Sequence, residues 1–212
     1  FDADGEPHIN IFDFRSGKWV RGPDMNNGRW YPYNVMLGSG KTLIVSGSYF
    51  ETPGNNSTRT INSTPQLYNF NNGCLETLPD GGDEFFSFYP FLHLRPDGRV
   101  LQVQSPLPFQ GEDRQSRLFD PANPPTGAWP DFANMNDDHG NGSSVLFQSG
   151  RKALMVGGFL ATGFQPNNLA EYINLDSPIA SWTRVAPMNF KRVFHTATIL
   201  PDGKVLVTGG AS

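Results

Sequence analysis

Four stretches of this chain share one pattern of apolar and polar positions: "MLGSGKTLIVSGS" (36–48), "FYPFLHLRPDGRVLQVQS" (88–105), "GNGSSVLFQSGRKALMVGG" (140–158) and "RVFHTATILPDGKVLVTGG" (192–210). Each is an apolar run, a tight turn ending in glycine, and a second β-rich run, which predicts a hairpin. The turn glycines Gly40, Gly98, Gly150 and Gly203 recur at intervals of 58, 52 and 53 residues. In Pro96-Asp97-Gly98 and Pro201-Asp202-Gly203 the proline pre-sets φ and the glycine supplies φ > 0. Between these hairpins lies a second strand–turn–strand element: "INIFDFRSGKWVRGPDM", "PQLYNFNNGCLETLPD", "SRLFDPANPPTGAWPDF" and "AEYINLDSPIASWTRVAPM". Trp19, Trp129 and Trp182 close three of them, and Cys74-Leu75 stands there in the second.

Two hairpins per period make four strands in roughly 50 residues, the unit of a kelch-type β-propeller blade. The expected fold is therefore all-β, with blade repeats at 1–24 (partial), 25–80, 81–132, 133–187 and 188–212 (partial) in one domain, 1–212. That is about four blade-equivalents of a larger ring of roughly seven blades. Residues 1–24 read as an outer hairpin without its inner partner, and 188–212 as an inner hairpin without its outer one. With no starter methionine before Phe1, the expectation is a mature form or fragment whose partners include the remaining blades.

Composition agrees with short strands. Charged residues are only 17%, aromatics 13%, and the chain holds 23 Gly and 18 Pro. No apolar run reaches membrane-spanning length, and a net charge of -4 without a basic run argues against nucleic acid. The single cysteine, Cys74, excludes an internal disulfide framework. Asn55, Asn56, Asn62 and Asn141 head Asn-x-Ser/Thr sequons in loop-like sequence, compatible with a secreted glycoprotein or with chance in an Asn-rich chain.

The histidines carry little by themselves. His195 reads as a hydrogen-bonded histidine at a strand start, His93 as a satisfied core or channel residue, and Asp137-Asp138-His139 as a solvated loop without calcium-loop spacing. His8 lies near the N-terminus. Gly81-Gly82 and Gly157-Gly158 open no helix, which excludes a phosphate cradle. Asp97 and Asp202 belong to turns and Asp13 and Asp120 to outer hairpins, not to a carboxylate pair for glycoside chemistry. Tyr31, in "GRWYP" at the head of an inner strand, is core filler on its own evidence; its counterparts are Tyr89, Asn141 and Phe194.

"GRWYP" followed by "LIVSGS", then "FYPFLHLRPDGRV", then "GSSVLF…ALMVGG", in this order and spacing, resembles the propeller of glyoxal oxidases and their galactose oxidase-like relatives. The resemblance covers essentially the whole chain and implies a copper radical oxidase. Such an enzyme converts an aldehyde or primary alcohol with O2 reduced to H2O2, and it holds copper through two tyrosines and two histidines. One tyrosine is thioether-linked to a cysteine and bears the radical. A bound cation makes a phenol ionise readily, and imidazole suits copper.

By this resemblance the catalytic, copper-ligating tyrosine is Tyr31, and the position of a ring stacked over it is Tyr49, a weak substrate-binding candidate. The loop "FETPGNNSTRTINSTP" beyond Tyr49 would shape a substrate rim. The linking cysteine, the Tyr-His pair and the second histidine fall outside this sequence, and Cys74 stands on the wrong side of Tyr31. The implied intact protein is extracellular, and this chain alone is expected to be inactive. The alternative is a non-catalytic kelch-type propeller that binds carbohydrate or protein.

Overall fold

The computed structural model describes residues 5–51, 59–78, 88, 90–103, 114–122 and 129–212. Asn55, Asn56, Gly81, Gly82 and Tyr89 lie outside the described residues. Every regular element among the described residues is a β-strand, and no helix is long and apolar enough to cross a membrane. Two compact units, one within residues 5–88 and one within 90–212, are described separately.

In the first unit, β1 (His8–Asp13) and β2 (Lys18–Asp24) form an antiparallel hairpin. It is followed by a sheet of β3 (Trp30–Met36), β4 (Thr42–Phe50), β6 (Gln66–Asn69) and β7 (Cys74–Thr77), in that spatial order; β5 (Arg59–Ile61) also pairs with β4. β4 reads as a continuous apolar-to-small run because both its faces are covered; Leu43 and Val45 are fully buried.

The second unit repeats the meander. β8 (Phe91–Leu94), β9 (Val100–Val103), β10 (Gln115–Phe119) and β11 (Asp131–Asn134) form one sheet. β12 (Ser143–Phe147), β13 (Lys152–Phe159), β14 (Pro166–Asn174) and β15 (Trp182–Arg184) form the next, and β16 (Thr196–Ile199) pairs with β17 (Val205–Thr208). The innermost strands β8, β12 and β16 lie side by side. His93 meets Ser144 Oγ at 2.8 Å, and the Ala197 amide donates to Ser143 Oγ at 3.0 Å. The core between the two four-stranded sheets contains Leu101, Val103, Met155, Ile173 and Trp182, whose indole N–H donates to Ser116 Oγ. Trp129 is also buried and stacks on Phe119 at 4.8 Å, whereas Trp19 is exposed.

All four turn glycines have left-handed φ, between 79° and 85°. Around Gly40, Gly98 and Gly203 the same two hydrogen bonds close the turn, for example Gly98 N to Arg95 O and Arg95 N to Arg99 O. The turn at Gly150 has no proline and differs: Gln148, Ser149 and Gly150 are all left-handed. A second recurrence was not read from the periodicity. Ser46-Gly47, Gly157-Gly158 and Gly209-Gly210 each place two consecutive residues at positive φ, in the middle of β4, near the end of β13 and just beyond β17. A Cβ on Gly47 would come within 2.7 Å of the Arg29 Cβ, and one on Gly158 within 2.5 Å of the His139 carbonyl carbon. The inner strands approach so closely there that only glycine fits.

Candidate functional site

Tyr31 follows from that close approach. Trp30 pairs with Ser48, Gly140 bridges Phe159 and Val193 bridges Ala211, each just beyond a left-handed pair. The next residue along the inner strand is then Tyr31, Asn141 or Phe194, and all three are left-handed, with φ of 65°, 54° and 55°. The strand head turns the same way in each repeat and presents one side chain there. A non-glycine residue in this region carries strain of about 1–2 kcal/mol, greatest for bulky side chains.

Two residues before Tyr31 along the chain, Arg29 is a buried cation. Arg29 donates from Nη1 to Ser46 O (2.7 Å) and from Nη2 to Thr64 O (2.6 Å), Asn26 Oδ1 (3.1 Å) and Gln66 Oε1 (3.2 Å). Burial pushes its pKa down to about 10, so the guanidinium stays charged at neutral pH. These acceptors tie three chain segments to the head of β3.

Trp30 stacks on Tyr31 with ring centroids 3.7 Å apart and planes at 25°. Phe88 sets its edge against both rings, and the Arg59 guanidinium lies 4.1 Å from the centre of the Trp30 ring. The arrangement fixes a phenol, 37% exposed, between an aromatic wall and solvent. The ring stacked on Tyr31 is thus Trp30, its own chain neighbour. Tyr49 is half-buried in β4 and pairs with Thr60. The adjacency Trp30-Tyr31 was visible in the sequence; the left-handed turn that folds the two rings together was not.

Cys74 opens β7, at the opposite edge of the sheet from β3, so about three strand spacings, roughly 14 Å, separate the two strands. It is exposed, and it is not placed to link to Tyr31.

The remaining candidates lie in the second unit. His93 is half-buried against Ser144, and desolvation pushes its pKa down to about 4, so it is neutral. The loop expected to be solvated at 137–139 is instead tied down on every side. Asp137 pairs with Arg184 (2.6 Å), Asp138 with Arg114 (2.6 Å), and His139, fully buried, meets Glu171 Oε1 (3.1 Å) and Gly157 O (2.7 Å). His195 also departs from expectation: it is buried, but neither ring nitrogen finds a hydrogen-bond partner among the described residues. Its ring wedges against Gly157, where a Cβ would come within 2.6 Å. Burial holds its pKa below the ordinary histidine value, despite the nearby Val156 carbonyl.

No group of three or more His, Cys, Asp or Glu among the described residues is placed to hold a metal ion. Of the sequons, Asn62 is buried with its amide bonded to Asn26, and Asn141 is half-buried.

No protein-family model matches the chain. Over 95% of its length it is 26% identical to a galactose oxidase of Gibberella zeae. The chain is thus similar to a galactose oxidase over nearly its whole length. It spans about 30% of the length of that relative. A WSC domain-containing protein of Arthroderma benhamiae is likewise 26% identical over 98% of this chain, which covers 22% of that protein. Among solved structures, a fungal alcohol oxidase of the AA5 family in complex with copper superposes with a TM-score of 0.73 at 21% identity, over 99% of this chain and 45% of that one. The protein YjhT superposes with a TM-score of 0.70 at 12% identity, over 99% of this chain and 73% of that one. These two support the fold: the repeated four-stranded meanders are those of a kelch-type propeller.

Proposed function

We propose that this galactose oxidase-like chain carries the radical-bearing tyrosine, Tyr31, of a secreted copper radical oxidase acting on aldehydes, as glyoxal oxidases do, or on primary alcohols, with O2 reduced to H2O2. The observation that carries the reading is Tyr31 itself, held left-handed at the head of β3, stacked on Trp30 and open to solvent. Likeness to galactose oxidase over nearly the whole chain supports it.

The described residues do not complete a copper site. Of the described residues, Trp30 and Phe88 pack on Tyr31, and neither is a copper ligand of the implied set. Tyr31 would supply one phenolate, and the reading requires the thioether cysteine, second tyrosine and two histidines from the part of the relatives that this chain does not span. Copper, when bound, supplies one-electron redox chemistry. The chain's own contribution is to hold the phenol: the left-handed backbone aims it, and the Trp30 face restricts its rotation. The blade divisions at 24/25, 80/81, 132/133 and 187/188 belong to the same reading, as does inactivity of this chain alone.

The test is copper-dependent H2O2 release, on glyoxal-type aldehydes and primary alcohols, by a protein that includes both this chain and the remainder of the relatives' length. Tyr31→Phe abolishes it, and Cys74→Ser leaves it intact. Unchanged turnover in Tyr31→Phe refutes the assignment.

A further inference from the structure

One cation in the second unit stands where the repeat elsewhere places an apolar side chain. The turn bonds from Leu37 N to Lys41 O, Arg95 N to Arg99 O and Leu200 N to Lys204 O put Leu37, Arg95 and Leu200 at one equivalent position. Leucine therefore suffices to close such a turn. Arg95 is nonetheless only 8% exposed, and a buried guanidinium is costly unless its donors are met. Only Nη2 is met: it donates to the Leu175 carbonyl (3.1 Å) and lies 3.1 Å from Asp97 Oδ2. Nε and Nη1 find no acceptor among the described residues. A buried arginine with donors unspent, where leucine would serve the fold, points to an acceptor that a ligand brings.

A cleft of about 180 Å³ adjoins this side chain. Its walls come from three segments of the second unit: Arg95 and Asp97 at the β8–β9 turn, Gly150 and Arg151 at the β12–β13 turn, and Leu175 and Asp176 beyond β14. The volume is below the roughly 300 Å³ at which pockets for organic ligands begin, so a single small ion suits it. Its carboxylates are already engaged. Asp97 accepts from Arg99 Nη2 (2.7 Å), Nε (3.0 Å) and the Arg99 amide (3.0 Å), and Asp176 lies 3.5 Å from Arg151 Nε. Three guanidiniums thus meet two carboxylates, which leaves a surplus of one positive charge and favours an anion. Arg95 and Arg151 approach from separate turns and not as one fork. A tetrahedral oxyanion, with acceptors in several directions, matches that arrangement better than a planar carboxylate.

We infer that this cleft binds a small tetrahedral oxyanion of the phosphate class, held by Arg95 and Arg151. The hairpin turns that form it lie at the opposite ends of the inner strands from the strand heads that correspond to Tyr31. The site needs no copper and no turnover, so its failure leaves the reading of Tyr31 untouched, and the reverse also holds.

Calorimetric titration of inorganic phosphate into the full chain, with phosphorus NMR line broadening as a second readout, tests this. Acetate at matched ionic strength is the planar comparison, and glycerol phosphate separates a phosphate-ester ligand from the free ion. At least one of the two phosphate probes binds saturably, and acetate does not displace it. Arg95→Leu, which installs the side chain of the equivalent turns, abolishes that binding. Arg95→Lys keeps the charge but not the planar donors and weakens it about tenfold. Arg151→Gln, at an exposed side chain, weakens it about threefold with the melting temperature unchanged. Lys204→Gln, in the β16–β17 turn, leaves binding as it was. Absence of saturable binding by both phosphate probes overturns the inference. So does full affinity in Arg95→Leu or Arg151→Gln, a loss in Lys204→Gln equal to that in Arg151→Gln, or displacement by an equal concentration of acetate.

Discussion

Replacing Glu171 by glutamine tests how the second unit holds its polar interior. The Glu171 carboxylate is fully buried in β14. Its Oε2 accepts from the Asn136 amide (2.9 Å) and Nδ2 (2.7 Å), and its Oε1 from the Asp137 amide (3.0 Å) and His139 Nε2 (3.1 Å). Burial alone would raise its pKa. The hydrogen bonds from His139, Asn136 and Asp137 outweigh burial and hold the pKa below the ordinary carboxylate value.

Glutamine preserves the shape but turns an NH2 group toward one of these pairs of donors. Two charge-assisted hydrogen bonds worth about 1.5–3 kcal/mol each are lost, and breaking a buried ion pair costs about 3–5 kcal/mol. The expected loss is therefore about 3–5 kcal/mol at pH 7. Urea unfolding of both proteins, followed by near-ultraviolet circular dichroism, measures it.

The pH dependence follows from the direction of the shift. Glu171 titrates lower in the folded chain than in the unfolded one, where a glutamate pKa is about 4.3. Its stabilisation is therefore full above that value and is lost as pH falls through the lower folded pKa. The gap between the two proteins holds from pH 7 down to about 4 and narrows below it. A penalty under about 1 kcal/mol, or one that stays constant into acid, would refute the reasoning.

Four further outcomes follow from two left-handed glycines, the buried arginine and a buried sequon. Gly158→Ala, whose Cβ would meet His139 backbone at 2.5 Å with φ at 104°, lowers thermal stability by more than about 2 kcal/mol. Gly17→Ala, with nothing within 4 Å but φ at 67°, lowers it by about 1 kcal/mol. Arg29→Met strands the Ser46 and Thr64 carbonyls and destabilises the first unit by about 2–4 kcal/mol, and Arg29→Lys does not restore it, since an ammonium lacks the forked geometry. Peptide mass spectrometry of protein from a glycosylating host finds Asn62 unmodified, because its amide is buried against Asn26.

The repeat was legible because each strand–turn–strand unit must place apolar residues and turn residues at fixed offsets, and one-dimensional periodicity records both. Gly40, Gly98, Gly150 and Gly203 marked the turns correctly, since a φ near 80° is a local demand that glycine meets. The Gly157-Gly158 pair was visible but was read only as opening no helix. Its reason, the His139 backbone 2.5 Å from where a Cβ would stand, lies in a neighbouring strand and not in the local sequence.

The candidate site divides along the same line. "GRWYP" named Tyr31, but its stacking partner was sought eighteen residues away at Tyr49 and is instead Trp30, because a left-handed residue folds adjacent rings onto one another where an extended strand would send them to opposite faces. The acidic loop at 137–139 looked solvated because its partners Arg184, Arg114 and Glu171 are distant in sequence. His195 looked hydrogen-bonded, yet the Gly157 backbone fills its surroundings. Sequence alone determined the order of strands, the turns and the period, which depend on neighbours along the chain. Only tertiary structure decided which backbones touch, which charges are paired and which aromatic rings stand open, because those depend on neighbours through space.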